Sequence, residues 1–409
     1  MTTFLEATTD FVTLSPDDSR RELWRAFETV GLPTTSDEVW RYAPLSSFSL
    51  EPYRVNSEPT SRDIPVELRP AVAVAGMVIR THNGQLTDVT GALTGVSVTS
   101  TAAGESRGGQ SFAARYHDDA FALMSGALAP HTLDIDITNQ VDVDRPIVII
   151  HDVVSSSTFL NLRVSVGGGS RVNIMEFYVG GADALVVPLS EFFVAANGEL
   201  RISTFQRLAN SAWHVARTTA FLERDARVHQ AIVGLGARYN RARNDAEFLG
   251  AGASNVLHTT FLGSGDQVHD FRTHQNHRVG RTNSTLLSKG AVAERSRSVY
   301  TGLIEIENGA RRTDARQTNV NLLLSPDAHA DTVPNLDIRE NDVVCAHASS
   351  VGPLDELQIW YLESRGVPPE DAQRLLVQGF FNEMTVSLPQ AVADLVASDV
   401  RDVIAKVGV

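Results

Sequence analysis

Between about residue 70 and residue 350 the chain consists of short runs of Val, Ile, Thr and Phe punctuated by Gly, Asn and Asp, a pattern that predicts strands joined by turns. Within this region a turn-like residue followed by a short strand recurs at Gly169, Gly198, Asp225, Gly252, Gly280 and Gly309, at intervals of 29, 27, 27, 28 and 29 residues. A second strand series ends at Val194, Leu222, Leu249, Val279 and Ile306, at intervals of 28, 27, 30 and 27. Two interleaved series with one period predict a mainly β fold, a right-handed parallel β-helix in which each coil contributes two sheet strands. Stacked coils bury their inward side chains continuously, and no single coil could stand alone. The competing reading is chance spacing of common turn residues in a β-sandwich or barrel, because the repeats share shape rather than identities.

The pattern changes at both ends. Ser15-Pro16-Asp17-Asp18 is a helix start with proline at the first position, Leu23, Trp24, Phe27 and Val30 form an apolar stripe, and Gly31 stops it. Ser36 is a cap for a short helix carrying Trp40, and the two tryptophans read as docking a helical cap on a core rather than as a ligand site. Residues 51–69 are polar with three prolines, a linker composition. Gly352-Pro353 breaks the last strand, and from Leu354 to Arg365 apolar residues recur at helical spacing (Leu354, Leu357, Trp360, Tyr361). Gly366 ends that helix. Pro368-Pro369-Glu370-Asp371 starts a second with Leu375, Leu376, Phe380 and Phe381 on its apolar face, and a third runs from Leu388 to about Lys406 with Val392, Leu395, Val396, Val400 and Ile404. The expected organisation is an N-terminal helical region and linker over 1–69, a β-helix core over 70–353 and a C-terminal helical domain over 354–409.

Composition narrows the function classes. A formal charge of −14 argues against a nucleic-acid partner, since phosphate contacts need a basic face. A single cysteine rules out an internal disulfide and fits a reducing compartment. The start MTTFLEATTDFVTL lacks a basic region and a continuous apolar run, and no stretch reaches the eighteen or so apolar residues of a membrane span, so a cytoplasmic location without membrane contact is expected. Phosphate-binding patterns are missing: Ser288-Lys289-Gly290 has P-loop letters in the wrong order, and Gly167-Gly168-Gly169 precedes a strand instead of a helix.

Candidate chemistry gathers at Cys345 and His347. On an extended strand positions i and i+2 share a face, with Cα atoms roughly 6.5–7 Å apart, so a thiol and an imidazole stand side by side on what would be the last coil. Three readings of Cys345 stay open: metal or sulfur handling, a nucleophile, and a small buried hydrophobe. His258, His269, His274 and His277 also cluster in sequence, but His274 and His277 would face opposite sides of a strand, so ordinary polar positions on a solenoid face are the simpler reading than a metal site.

The segment Val299–Val367 resembles the shared core of the SufB/SufD family, scaffold subunits of the SUF iron–sulfur cluster assembly machine. Its most specific pieces are QTNVNLLLS (Gln317–Ser325), the CAH triplet followed by SSVGPLD, and YLESRG (Tyr361–Gly366). The likeness is dense over roughly 270–381, diffuse across the repeats, and returns at Gly31–Leu45, which with the His after Cys345-Ala346 favours the SufD branch. Ala346 departs from the Ser that this branch often has. The resemblance implies a non-enzymatic β-helix scaffold that pairs with SufB along the last coils and binds a SufC ATPase through its helical tail; whether the isolated chain forms a homodimer when SufB is absent stays open at this point. It implies no tightly bound cofactor, only a transient iron–sulfur cluster at the SufB junction, with His347 the expected ligand and Cys345 a weaker one; iron entry is one role proposed for the branch. On the tail, Trp360, Tyr361, Arg365, Leu376, Phe380 and Phe381 are the expected partner-binding residues, with the apolar faces docking partly on the solenoid end and partly on the ATPase. A β-helix enzyme acting on a polysaccharide or acyl group, with Cys345 as nucleophile, is the alternative.

Overall fold

The computed structural model describes Phe4, Thr8, Val12 and residues 18–54, 63–101, 112–154, 156–385 and 388–407. Two antiparallel pairs open the sheets. β1 (Met77–His82) turns into β2 (Gln85–Gly91), and β3 (Val96–Thr101) pairs with β4 (Thr132–Ile137). From there the chain alternates between two parallel sheets. Sheet A adds β5 (Ile147–Val153), β7 (Arg171–Gly180), β9 (Glu199–Leu208), β11 (Arg227–Gly234), β13 (Ser254–Gly263), β15 (Asn283–Val292), β17 (Asp314–Leu323) and β19 (Val344–Pro353). Sheet B adds β6 (Ser157–Val166), β8 (Leu185–Val194), β10 (Trp213–Leu222), β12 (Tyr239–Phe248), β14 (Val268–His277), β16 (Arg297–Ile306) and β18 (His329–Ile338). The result is a parallel β-solenoid with helices at both ends of the chain.

The period read from the sequence is the coil. The six sheet A strands from β7 to β17 begin one to five residues after the six turn residues. These turns need left-handed backbone: Asp225 has φ 58° and Gly309 φ 89°, a region open to glycine and tolerated by aspartate. The second series is shifted in two places. β12 ends at Phe248 rather than Leu249, and β14 at His277 rather than Val279. At the first of these, Leu249 and Gly250 both donate to the Leu222 carbonyl (2.9 and 3.1 Å), which ends the ladder and turns Leu249 out to solvent.

Inside the solenoid the character of the core changes along the axis. The first coils are lined by Ile79, Ile149, Leu162, Val164, Ile174 and Phe192. The later coils bury Gln230, Asn244, Asn255 and Gln275, bonded to one another, as in Asn255 Nδ2 to Gln275 Oε1 at 2.9 Å, together with Thr259, which donates to Ser288, and Asn319, which donates to Thr332. His269 and His277 belong to this interior, which corrects their expected placement on a solenoid face. Both are fully buried, His277 stacked on Phe248 at 4.2 Å and bonded to Thr282 and Ser284. Burial pushes both imidazoles down to about 3, so they are neutral spacers.

The outer faces carry the helices. On sheet B lie α1 (Asp18–Val30), α3 (Phe112–Arg115) and α4 (Ala120–Leu128), with Leu23, Trp24, Phe27, Phe112, Phe121 and Trp213 in one core, whereas α2 (Arg69–Val74) puts Ala71 into the core on the outer face of sheet A. The apolar stripe of α1 stops at Phe27; Val30 is exposed at the helix end, where Gly31 (φ 71°) closes it. Ser15, Pro16 and Asp17 lie outside the described residues. Asp37, not Ser36, precedes the short 3-10 turn Glu38–Trp40, and its carboxylate accepts from the Thr34 amide at 2.7 Å. Trp40 packs on Phe121 and covers the Arg241 guanidinium at 3.9 Å.

Arg217 of β10 fastens this cap. It donates to Asp119, the N-cap of α4, and to Asp245 of β12, both at 2.9 Å. Burial raises carboxylate pKa values, but Arg217 and Arg243 outweigh it and hold Asp119 and Asp245 below their ordinary 3.8. Arg217→Met leaves two buried carboxylates short of a partner and is expected to cost about 3 kcal/mol, read by chemical denaturation. Because both folded-state values are depressed, the stabilisation is complete above the unfolded value near 3.8 and is lost as pH falls through the folded values. The variant should therefore show a shallower acid loss of stability than the parent chain.

The C-terminal helices α5 (Glu356–Ser364), α6 (Pro369–Thr385) and α7 (Gln390–Val407) leave the last coil, and α6 and α7 fold back along the outer face of sheet A. Val377, Phe381, Leu388, Leu395, Val396, Val400 and Ile404 share a core with Val148, Phe177, Phe205, Val233, Leu262 and Ala291. The expected docking on the solenoid end is thus corrected: the apolar stripe lies along the side, where outward Val, Phe and Leu residues of successive strands form a matching surface. Lys289 of β15 pins α6 over the Phe380 ring at 4.9 Å. Arg207 of β9 bonds both Glu67 (3.1 Å) and Asp399 of α7 (2.9 Å), tying both helical regions to one strand.

Candidate functional site

Among the described residues the last coil has no successor. There β18 pairs only with β16 and β19 only with β17, so two strands of ten residues each present a free edge. Leu336, Ile338, Val344 and Val351 are exposed there. Long apolar edge strands are natively covered, because their outward N–H and C=O groups pair readily with another chain. Inside the mouth, Asn319 donates to Thr332 (3.0 Å), and the Thr332 and Ser349 hydroxyls meet at 2.7 Å, joining the two strands.

Cys345 and His347 both lie on β19, in register with Ala315 and Gln317 of β17. Ala315 and Gln317 are buried inward residues, so the pair stands on the inward face at the mouth, as the i, i+2 spacing requires. Cys345 is half-buried against Ile304, Ile306, Ala310 and Ala315. Burial first, and Asp314 second, push its thiol above the ordinary 9.0, so it is protonated at neutral pH and is a poor nucleophile and a weak ligand. His347 is exposed. Gln317, its register neighbour, is buried with neither amide atom partnered among the described residues, and Asn319 Oδ1 and Asn321 Nδ2 are also unpartnered. A row of unsatisfied polar groups at an open mouth calls for water or a second surface. The register period singles out Gln317 once the coil is known; the sequence by itself marks it only as part of QTNVNLLLS.

Among the described residues no three His, Cys, Asp or Glu side chains converge closely enough to hold a metal ion. Cys345 and His347 therefore supply at most part of a ligand set. The other histidines diverge: His274 bonds Glu305 (3.0 Å) on the outer side of sheet B, His258 lies on the outer face of sheet A, and His269 and His277 are interior.

One arrangement has the order of a nucleophile relay. Thr81 Oγ1 lies 2.7 Å from His151 Nδ1, and His151 Nε2 lies 3.2 Å from Glu176, which also accepts from Tyr178 and Thr204. Thr81, His151, Glu176 and Tyr178 are all sealed inside the early coils, and Thr204 is half-buried. The adjoining cavity, bounded by Glu176, His214 and Gln230, measures only 30 Å³, room for water and not for an acyl or sugar substrate.

The tail residues separate into two groups. Trp360 (65% exposed), Leu357 (75%) and Tyr361 stand out from α5, with the Arg365 guanidinium over the Tyr361 ring at 5.3 Å. Leu376 and Phe380 are half-buried, and Phe381 (3%) is held in the core between α6 and sheet A, so its side chain is not available at the surface. No described helix is long and apolar enough to cross a membrane.

Comparison with known proteins gives the same direction. The family described as SUF system FeS cluster assembly, SufBD core domain, matches residues 149–380, from β5 into α6. The chain is 27% identical over 371 residues to the iron–sulfur cluster assembly protein SufD of Escherichia coli K12, covering 88% of this chain and 86% of that protein. It is 29% identical over 259 residues to SufD of Bacillus subtilis 168, 62% of this chain and 59% of that one. With a SufBD family protein of Mycobacterium leprae it shares 34% identity over 218 residues, 51% and 56% of the two chains. Because the family match runs through more than half of the sequence and spans the solenoid coils, the open mouth and the first tail helices, this chain belongs to the SufBD family of SUF-system iron–sulfur cluster assembly proteins.

Proposed function

We propose that the chain is a scaffold subunit of the SufD type, which adds its last coil to that of a SufB partner and holds a SufC ATPase on its C-terminal helices. His347 is its contribution to a nascent iron–sulfur cluster built at the junction. The observation that carries this reading is the open mouth: two long edge strands, exposed apolar side chains and unpartnered interior amides, with Cys345 and His347 at the rim. Cluster assembly needs a site that holds iron and sulfide and then releases them. A ligand set split between two subunits does so when the junction opens, and ATP-driven approach of two SufC subunits supplies the differential contacts that favour one state.

The pairing is tested on the strand edge itself. In a parallel strand alternate residues bond to opposite neighbours, and Val344 donates to the carbonyl of Thr313, the residue just before β17 (2.9 Å), so the backbone N–H of Ser349 faces the free edge. Ser349→Pro removes that donor and leaves the β17 ladder intact. Co-expression with the SufB and SufC partners should yield the variant without SufB, and a homodimer of the isolated chain should fall apart in the same way. Full recovery of SufB with Ser349→Pro would place the contact elsewhere.

A further inference from the structure

We infer that the outer face of sheet A carries an oxyanion-binding groove, independent of the scaffold reading, that takes a small multivalent anion of the phosphate or pyrophosphate class. The groove encloses about 440 Å³ between the strands and the α6–α7 turn at Leu388 and Pro389. Its floor is set by register: Asn173, Arg201 and His229 stand opposite one another on β7, β9 and β11. One step along, Ser203 of β9 pairs with Ala231 of β11, which pairs with His258 of β13. Adjacent strands are about 4.8 Å apart, so amide, guanidinium, imidazole and hydroxyl donors fall within the span of one phosphate group and its neighbour. Among the described residues no carboxylate lines the groove.

Arg201 is prepared for this role. Its Nε donates to Glu199 at 2.8 Å, which fixes the plane of the guanidinium, while the two terminal nitrogens have no partner among the described residues. A guanidinium held at Nε with both ends of its fork free is the geometry that receives an oxyanion in bidentate fashion. Around it Arg171 lies 3.6 Å from Glu199 and 3.6 Å from Asp142, and Arg227 is in register with Glu199. Three arginines thus face two carboxylates, leaving a local positive charge on a chain whose net charge is −14. Burial first, and Arg201 second, hold His229 below its ordinary 6.5, so at neutral pH it is an uncharged ring with one N–H to donate. The non-polar wall of Ala231, Val256 and Leu388 leaves room for an organic group attached to the anion.

The test is titration calorimetry on the full chain with orthophosphate, pyrophosphate and ATP in separate arms. Saturable binding that weakens with added salt is expected for pyrophosphate. Arg201→Gln should lower the affinity about tenfold or more, the loss of one charge-assisted bidentate contact. His229→Asn should lower it less, and Arg311→Gln, an exposed arginine paired with Asp342 at another corner of the solenoid, should leave it unchanged. Tighter binding of ATP than of pyrophosphate, lost in Arg201→Gln, would identify a nucleotide as the source of the anion; equal binding would identify the bare oxyanion. Absence of saturable binding by the folded parent chain, or equal affinity in Arg201→Gln, overturns the site.

Discussion

Changing Leu357 and Trp360 together to aspartate should abolish capture of a SufC ATPase while the chain keeps its melting transition. The two side chains are three residues apart on α5, so they share one face of the helix, and both stand in solvent. Tyr361, with Arg365 over its ring, extends the same exposed surface. Buried aromatic and aliphatic anchors of this kind dominate interface energies, each costing about 2–4 kcal/mol when lost, so the pair should weaken capture on the order of a thousandfold. Nothing in the fold depends on them, because the core between the tail and sheet A is built from Val377, Phe381, Leu395 and Val396. Removing residues 354–409 outright is a poorer test, since it would strip the cover from Phe177, Phe205, Val233 and Leu262 and confuse lost binding with lost folding. Pull-down of the co-expressed ATPase reads the result. Unchanged capture by the double variant would remove α5 from the interface.

His347→Ala should give a complex that assembles with its partners in normal yield but accumulates several-fold less cluster, followed by visible absorbance during anaerobic reconstitution. The imidazole is exposed at the mouth, so its removal leaves the coil intact. A neutral imidazole binds iron, and loss of one ligand from an incomplete shared set weakens the site directly. Cys345→Ala should do less, because its thiol is half-buried and held protonated. If anything it should lower stability slightly, since the sulfur packs on Ile304 and Ile306. Cluster accumulation at the parent rate in His347→Ala would reduce His347 to an interface residue.

Much of the architecture was legible because its signals are local. A coil must reverse direction at fixed intervals, and left-handed backbone at the reversals selects Gly, Asp or Asn, so the period is written in residues such as Gly169, Asp225 and Gly309. Strand alternation then assigns Cys345 and His347 to one face without any knowledge of neighbours. Proline and acids at Pro369, Glu370 and Asp371 mark a helix start for equally local reasons. What only the tertiary structure decided are the questions answered by residues far apart in the chain. The apolar stripes of α5 and α6 look alike in sequence, yet Phe381 is buried on sheet A and Trp360 is left in solvent, because only α6 lies alongside the outward Val and Leu residues of the coils. His269 and His277 read as surface positions, yet the later coils have a polar interior in which a neutral imidazole can be stacked and bonded. The same holds for the open mouth. That β18 and β19 have free edges follows from there being no further coil among the described residues, while the unpartnered amide atoms near His347 follow from how Gln317, Asn319 and Asn321 line the preceding coil, a packing fact with no local signature.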